Sequence, residues 1–356
     1  MSGVWSWRRA AVWACGAAFL LLLAAYLHNT APDTPTQPAP PHHLPLTLHS
    51  NNNTINEERV PWWDGGGCRC EGRVCAHQEP PSQGSVGVVG GTCGRRAWAA
   101  GDGQRVVSFS LYGDNPEYWL GLNDTLQRVG EMYRGWVVRL YTTPHAHAAH
   151  LCPLLTRYAH FYVCDVTNLP PPLGNISGVH PMMWRVAPLG DPQLAALMVR
   201  DTDSQVSERE RAAVEAWLAT GKHFHVMRDH PSHDAQILGG MWGARWDLGS
   251  DPRPHTAHAL AALRDTMLRE ARGQTQRGQD QKILGKWLWP VMVGRMVAHD
   301  SYNCLQFPGT TPWPTQRVHG YFVGSPSFRK KYANQTVPKP CPVRCRPKLH
   351  RDWLYC

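Results

Sequence analysis

Two aspartates one residue apart, Asp201 and Asp203, stand at the end of the apolar run Leu197-Met198-Val199. In an extended strand, residues i and i+2 face the same way, so this pair can aim both carboxylates at one point. Hard oxygen donors in that arrangement suit Mg²⁺ or Mn²⁺, which bridge to diphosphate oxygens. The same residues also suit a plain helix start, because Asp203 and Ser204 lie just ahead of Ser207. Asp-x-Asp is common in surface turns, so its meaning rests on its surroundings.

Other chemistry-bearing residues follow downstream. Arg228-Asp229-His230-Pro231 offers a guanidinium for bidentate phosphate binding, or else a hydrogen-bonded corner that Pro231 restrains. Gly239-Gly240-Met241-Trp242-Gly243 permits close backbone approach to a ligand at Gly240 and offers Trp242 as a stacking face, or forms a plain turn beside a core Trp. Arg185 and Arg200 can pair with the acidic site, with phosphate, or in structural salt bridges. Asp280-Gln281 opens a helical segment, where Asp280 complements the helix dipole if it has no other role. There is no Gly-x-Ser-x-Gly elbow, no His-Glu-x-x-His helix and no P-loop, which argues against those hydrolase and nucleotidase classes.

These residues need a scaffold, and the pattern from Arg105 supplies one. Apolar strand-like runs are expected at 105–111, 136–141, 160–165, 194–199 and 223–227. Helices are expected at 118–133, 146–158 and 208–220, the last capped by Ser207, with Glu210 in the capping-box position and Gly221 closing it. Alternating strands and helices imply an α/β fold with a mostly parallel central sheet, whose ligands bind at the strand C-termini. Asp201 and Asp203 fall at such a terminus.

The flanks bear on location. Arg8 and Arg9 precede the uncharged apolar stretch 10–26, at the short limit for a membrane helix, and no Lys or Arg follows until Arg59. That asymmetry predicts a cytoplasmic N-terminus and a lumenal remainder, with a cleaved signal peptide as the alternative. Residues 27–60, rich in Pro, Thr and His, read as an extended stem. Of the 11 cysteines, Cys15 lies in the apolar stretch and the other ten form an even set, consistent with disulfides whose pairing stays open. Sequons begin at Asn52, Asn123, Asn175 and Asn334. The chain has 356 residues, 42% hydrophobic, with net charge +9. That supports a sizeable core and anionic partners such as nucleotide diphosphates or acidic glycans; no nucleic-acid-binding motif is present. Most of the 16 Trp residues belong to the core, and some can stack on sugars.

Met183-Trp184-Arg185, Arg200-Asp201-Thr202-Asp203-Ser204, Met227-Arg228-Asp229-His230-Pro231, Gly239-Gly240-Met241-Trp242-Gly243, Asp280-Gln281, Trp289-Pro290 and His299-Asp300-Ser301-Tyr302 stand in that order. As a set, over about residues 105–325, they resemble a poorly characterised glycosyltransferase-like family with the nucleotide-diphospho-sugar transferase (GT-A) fold. The resemblance implies a metal, Mn²⁺ or Mg²⁺, held by Asp201 and Asp203, with His299 as the third ligand. It implies donor contacts at Arg200, Arg228, Gly240 and Trp242. It places Asp229, Asp280 and Gln281 at the sugar, with Asp280-Gln281 mildly favouring retention of configuration. The expected partners are a nucleotide-sugar donor, UDP-linked by preference, and a glycan or glycoconjugate acceptor.

The expected organisation is a cytoplasmic tail 1–9, a signal anchor 10–26, a stem 27–60, a Cys/Gly-rich irregular segment 61–104, a GT-A-like domain 105–330 and a Cys-containing tail 331–356. Such a protein is expected in Golgi or ER membrane, single-pass and type II. Two other classes remain open: a lumenal glycan-binding protein without catalysis, and a metal-dependent phosphodiesterase using the same carboxylates.

Overall fold

The computed structural model describes residues 68–70, 73–74, 91–246, 253–326 and 335–356. The expected anchor and stem, most of the Cys/Gly-rich segment and the sequons at Asn52 and Asn334 lie outside these residues. Among the described residues, no helix is long and apolar enough to cross a membrane.

Seven strands form one sheet in the order β5-β4-β3-β6-β8-β7-β9. They are β3 (Gln104–Ser110), β4 (Trp136–Thr142), β5 (Phe161–Asp165), β6 (Leu194–Arg200), β7 (Phe224–Arg228), β8 (Met241–Arg245) and β9 (Met296–Asp300); a two-residue hairpin, β1 (Arg69–Cys70) and β2 (Arg73–Val74), precedes them. Strands β3 to β6 pair in parallel, as do β7 and β9. Only β8 runs antiparallel, wedged between β6 and β7. The expected strand and helix positions agree to within a few residues. Two elements were not expected: the helix Arg253–Glu270, and β8, which a glycine-rich segment conceals because Gly243 breaks its alternation. That glycine is there because a Cβ would lie 2.9 Å from the Leu197 carbonyl oxygen and 3.1 Å from the Trp217 ring.

Both faces of the sheet are covered, which is why β6 is apolar at successive positions rather than alternating. On one face, Val107, Phe109 and Met198 pack beneath α2 (Pro116–Met132), α3 (Ala148–Arg157) and α4 (Glu208–Leu218), the last contributing Trp217. On the other, Val106, Leu197, Val199 and Trp242 pack with Leu260, Met267, Ile283 and Leu284 of α5 (Arg253–Glu270) and α6 (Gln279–Trp287). Asn115 caps α2 by accepting from the Glu117 N–H at 3.0 Å, ahead of Pro116, whose missing N–H costs nothing there. Ser207 caps α4 through the Glu210 N–H. Glu210 does not complete the capping box; its carboxylate accepts from Arg200 Nε at 2.6 Å and from the Tyr133 hydroxyl at 3.0 Å.

Among the described residues, four disulfides are formed: Cys68–Cys152, Cys93–Cys164, Cys304–Cys345 and Cys341–Cys356. The second ties the residues just before α1 (Arg95–Ala99) to β5, the third ties the C-terminal residues to the loop after β9, and the fourth closes a loop within them.

Candidate functional site

The parallel strands deliver their C-termini to one edge, and there the acidic residues gather. Strand β6 ends at Arg200, and Asp201 to Ser204 form a turn closed by the Ser204 N–H donating to the Asp201 carbonyl at 3.2 Å. The expectation that strand alternation aims both carboxylates is therefore corrected, because the pair lies in a turn. What joins them is the surrounding structure. Tyr112, two residues past β3, feels the charges of Asp201, Asp203, Asp280 and Arg185 together. Its phenol is pushed up by burial first, opposed by Arg185, so it stays protonated; the residue is 43% exposed and meets the Trp184 ring edge-on at 6.1 Å.

Arg185 is the hub. It sits in a 3₁₀ turn, Pro181–Val186, which lies across β3, where the Ser108 hydroxyl donates to the Arg185 carbonyl at 2.8 Å. One guanidinium nitrogen pairs with Asp201 and the other with Asp280 at 3.0 Å. Burial works to lower the pKa of Arg185, but the two carboxylates outweigh it and hold it above its ordinary value. The Asp201 side chain is 32% exposed and that of Asp280 only 3%, so Asp201 faces outward while Asp280 forms the floor. Asp203, partly buried, accepts from the Tyr118 hydroxyl at 3.5 Å.

Gly239 and Gly240 explain how three charged groups fit so closely. A Cβ on Gly239 would collide with the Asp280 carboxylate and lie 2.6 Å from Arg185 Nη2. On Gly240 it would collide with the Asp201 carboxylate and lie 2.8 Å from the Asp201 backbone nitrogen. The close approach expected at Gly240 is thus to the acidic residues themselves.

Several expected site residues are engaged elsewhere. Trp242 is fully buried in the core and offers no stacking face. Arg200 is buried and spent on Glu210 and on the Trp242 carbonyl at 3.1 Å. Arg228 pairs with Asp300 at 2.6 Å and donates to the Gln236 carbonyl. Asp229 accepts from Arg209, Arg317, Ser301 and the Val323 N–H, which fills its lone pairs; it anchors the C-terminal residues instead of facing a sugar. Burial raises the Asp229 carboxyl, but Arg209 and Arg317 overcome this and hold it at about 2. Gln281 lies in the first turn of α6, partly buried beside Asp280.

His299 does not complete a metal site. It lies on β9, three strands from β6, about 14 Å at the usual strand spacing. Its Nδ1 hydrogen-bonds His225 Nε2 at 2.8 Å, and burial depresses it to about 4. His233 lies near this edge, and burial, only partly opposed by the Asp229 carboxylate, depresses it to about 4. Its Nδ1 accepts from the Asp229 N–H at 3.0 Å, which leaves the proton on Nε2 and makes the ring a donor, not a ligand. Among the described residues, no three His, Cys, Asp or Glu side chains converge as a metal-binding group. The donor set at Asp201 and Asp203 nevertheless fits a hard divalent cation, since Mg²⁺-type sites commonly use one or two carboxylates plus phosphate and water. Tyr112, Tyr118 and His233 were not expected at this edge. Tyr112 alone carried a signal, its place at the end of the first long strand.

No family model and no curated protein matches this chain. Solved structures similar to it include a glycosyltransferase involved in glycosylation of the major capsid of PBCV-1, at 12% identity and TM-score 0.33, covering 56% of this chain and 82% of that one. Another is the mannosyltransferase PcManGT from Pyrobaculum calidifontis, in complex with GDP-Man and Mn²⁺, at 12% identity and TM-score 0.29. This chain spans about half of that protein, 55%, and the match covers 49% of this one. At such overlap neither likeness carries an argument about activity.

Proposed function

We propose that this chain is a metal-dependent glycosyltransferase that moves a sugar from a nucleoside diphosphate to a glycan or glycoconjugate acceptor. The observation that carries the reading is the meeting of Asp201 and Asp280 on Arg185 beside two close-fitting glycines, with Asp203 in the same turn and acting with them on Tyr112, at the C-terminal edge of the sheet. Ligands of open α/β sheets bind at that edge. Asp201 and Asp203 would hold Mn²⁺ or Mg²⁺, which when bound offsets negative charge on a departing diphosphate.

The chain's own groups supply the rest. Arg185 is a buried cation with both terminal nitrogens on carboxylates, so its role is to fix Asp201 and Asp280 in place. Tyr112 presents a half-exposed ring and a neutral hydroxyl beside the acidic residues, a surface on which a nucleobase can stack. His233 stays neutral and can donate from Nε2. Asp280 is oriented by Arg185 below the carboxylate pair, where its charge can support an electron-poor sugar carbon; retention of configuration is the accompanying proposal. Four disulfides support an oxidising compartment, and with the apolar stretch 10–26 they motivate a type II secretory-membrane placement.

The test is calorimetric titration of UDP and GDP with Mn²⁺ into wild type, Asp201→Asn and Asp203→Asn, paired with a nucleotide-sugar hydrolysis panel. Metal-dependent nucleotide binding that each substitution removes, with hydrolysis of one donor, is the expected result. Binding without turnover of any donor supports the non-catalytic reading. Wild-type affinity in both variants ends the metal assignment.

A further inference from the structure

A second candidate site lies away from the carboxylates. A cleft of about 690 Å³ runs beside the edge strand β9, within the roughly 300–1,000 Å³ typical of ligand sites. Trp289 and Phe307 lie in its wall with their rings edge to face at 6.4 Å, and Lys222, Gln306 and Thr310 add polar groups. No Asp or Glu lines it among the described residues. Arg228, fully buried, closes the floor with its guanidinium 4.2 Å from the centre of the Phe307 ring. Its Nε and Nη1 are satisfied by Asp300 and the Gln236 carbonyl, but Nη2 has no hydrogen-bond partner. Beneath Phe307 that atom is closed to a ligand in the cleft, so the guanidinium acts on the cleft through its charge and not by contact.

We propose that this cleft binds an acidic saccharide. Ring C–H faces would pack on Trp289 and Phe307, hydroxyls would meet Gln306 and Thr310, and the anionic group would meet the exposed Lys222. The inference rests on the glycan-acceptor reading for the class of ligand, and it gives that acceptor a negative charge and a holding site remote from the reacting centre. An added peptide strand fits less well. Thr311 already occupies part of the outer edge of β9, donating to the Ala298 carbonyl at 2.7 Å and accepting from the Asp300 N–H at 3.1 Å. Ladder bonds for a peptide would therefore be confined to the Met296 end.

The experiment uses the full-length chain and a chondroitin 4-sulfate tetrasaccharide, with neutral chitotetraose and hexaglutamate as comparisons, read by saturation-transfer NMR and calorimetry. Wild type should bind the sulfated tetrasaccharide more tightly than chitotetraose, and more weakly as salt rises. Trp289→Ala should weaken binding about five-fold through the lost stacking face. Lys222→Gln, at an exposed position where folding is not at stake, should weaken it about three-fold. Asp201→Asn should bind the tetrasaccharide as wild type does. No binding by wild type, or unchanged binding in both cleft variants, overturns the proposal, and so does hexaglutamate binding as tightly as the tetrasaccharide. Nucleotide–Mn²⁺ titration on the same samples separates the two readings: its failure with tetrasaccharide binding intact removes the transferase and leaves the cleft.

Discussion

Replacing Gly240 by Ala adds one methyl group at the point where β8 meets the acidic turn. That carbon would overlap the Asp201 carboxylate and stand 2.8 Å from the Asp201 backbone nitrogen. The second distance is roughly 0.7 Å short of the ~3.5 Å optimum for non-bonded atoms. The carboxylate can rotate away, but the backbone nitrogen belongs to the turn that ends β6, and β6 is buried along its length and paired on both sides. The strand resists, so the turn must shift or the carboxylate must leave Arg185. Overpacking of this kind costs about 1–3 kcal/mol. For a unit of this size, each kcal/mol lowers the melting temperature by about 2–4 °C, which predicts a fall of about 4–8 °C for a mid-range cost. Nucleotide–Mn²⁺ affinity should fall about ten-fold or more, the equivalent of ~1.4 kcal/mol, because one carboxylate has moved. Scanning calorimetry and titration on the same preparation read both quantities. A Gly240→Ala protein with an unchanged melting temperature and unchanged affinity would refute the claim that this glycine exists to seat Asp201.

Three further outcomes are expected. Asp280→Asn should keep the fold within about 1–2 kcal/mol, since Asn still accepts from Arg185, but should lose transfer while nucleotide–Mn²⁺ affinity stays within a few-fold; full turnover in that variant removes any role for the charge. Removing Arg185 itself, as Arg185→Met, strands two carboxylates and should cost about 3–5 kcal/mol, read as a shift in the urea midpoint. The pH profile of stability should have two steps. His299, held at about 4, is neutral when folded while its unfolded form protonates near 6.5, so stability is full above 6.5 and is lost as pH falls towards 4. That loss is about 2 kcal/mol between pH 7 and 5, and His225, pushed further down by burial and by His299, adds to it in the same direction. Asp229, held at about 2, contributes stability present above the unfolded value of 3.8 and lost as pH falls through 2, so denaturation deepens in that second window. Melting temperatures of wild type and His299→Gln between pH 7.5 and 2.5 check both steps, and a flat profile down to pH 4 would contradict the first.

Local pattern decided much of this protein. Runs of apolar residues bounded by caps and glycines located five strands and three helices, because a strand buried on both faces must be apolar at every position and a helix must satisfy its first N–H groups. The same reading located Asp201, Asp203 and Asp280 and left Arg185 open between a structural and a site role. What it could not reach was which charges meet. Arg200 and Arg228 looked as fit for phosphate as Arg185, yet Glu210 and Asp300 take them, since a buried guanidinium is tolerable only beside its counter-ion. Asp229 looked like a sugar ligand and is instead the knot that binds Arg209, Arg317 and the C-terminal residues. His299 stood at a strand end like a metal ligand, but sheet order sets it three strands from Asp201. The antiparallel β8 hid behind glycines whose purpose is contact with residues distant in the chain. Spacing along a chain reports which residues share a face; the pairing of strands, and the cost of leaving a buried charge alone, decide which of them meet.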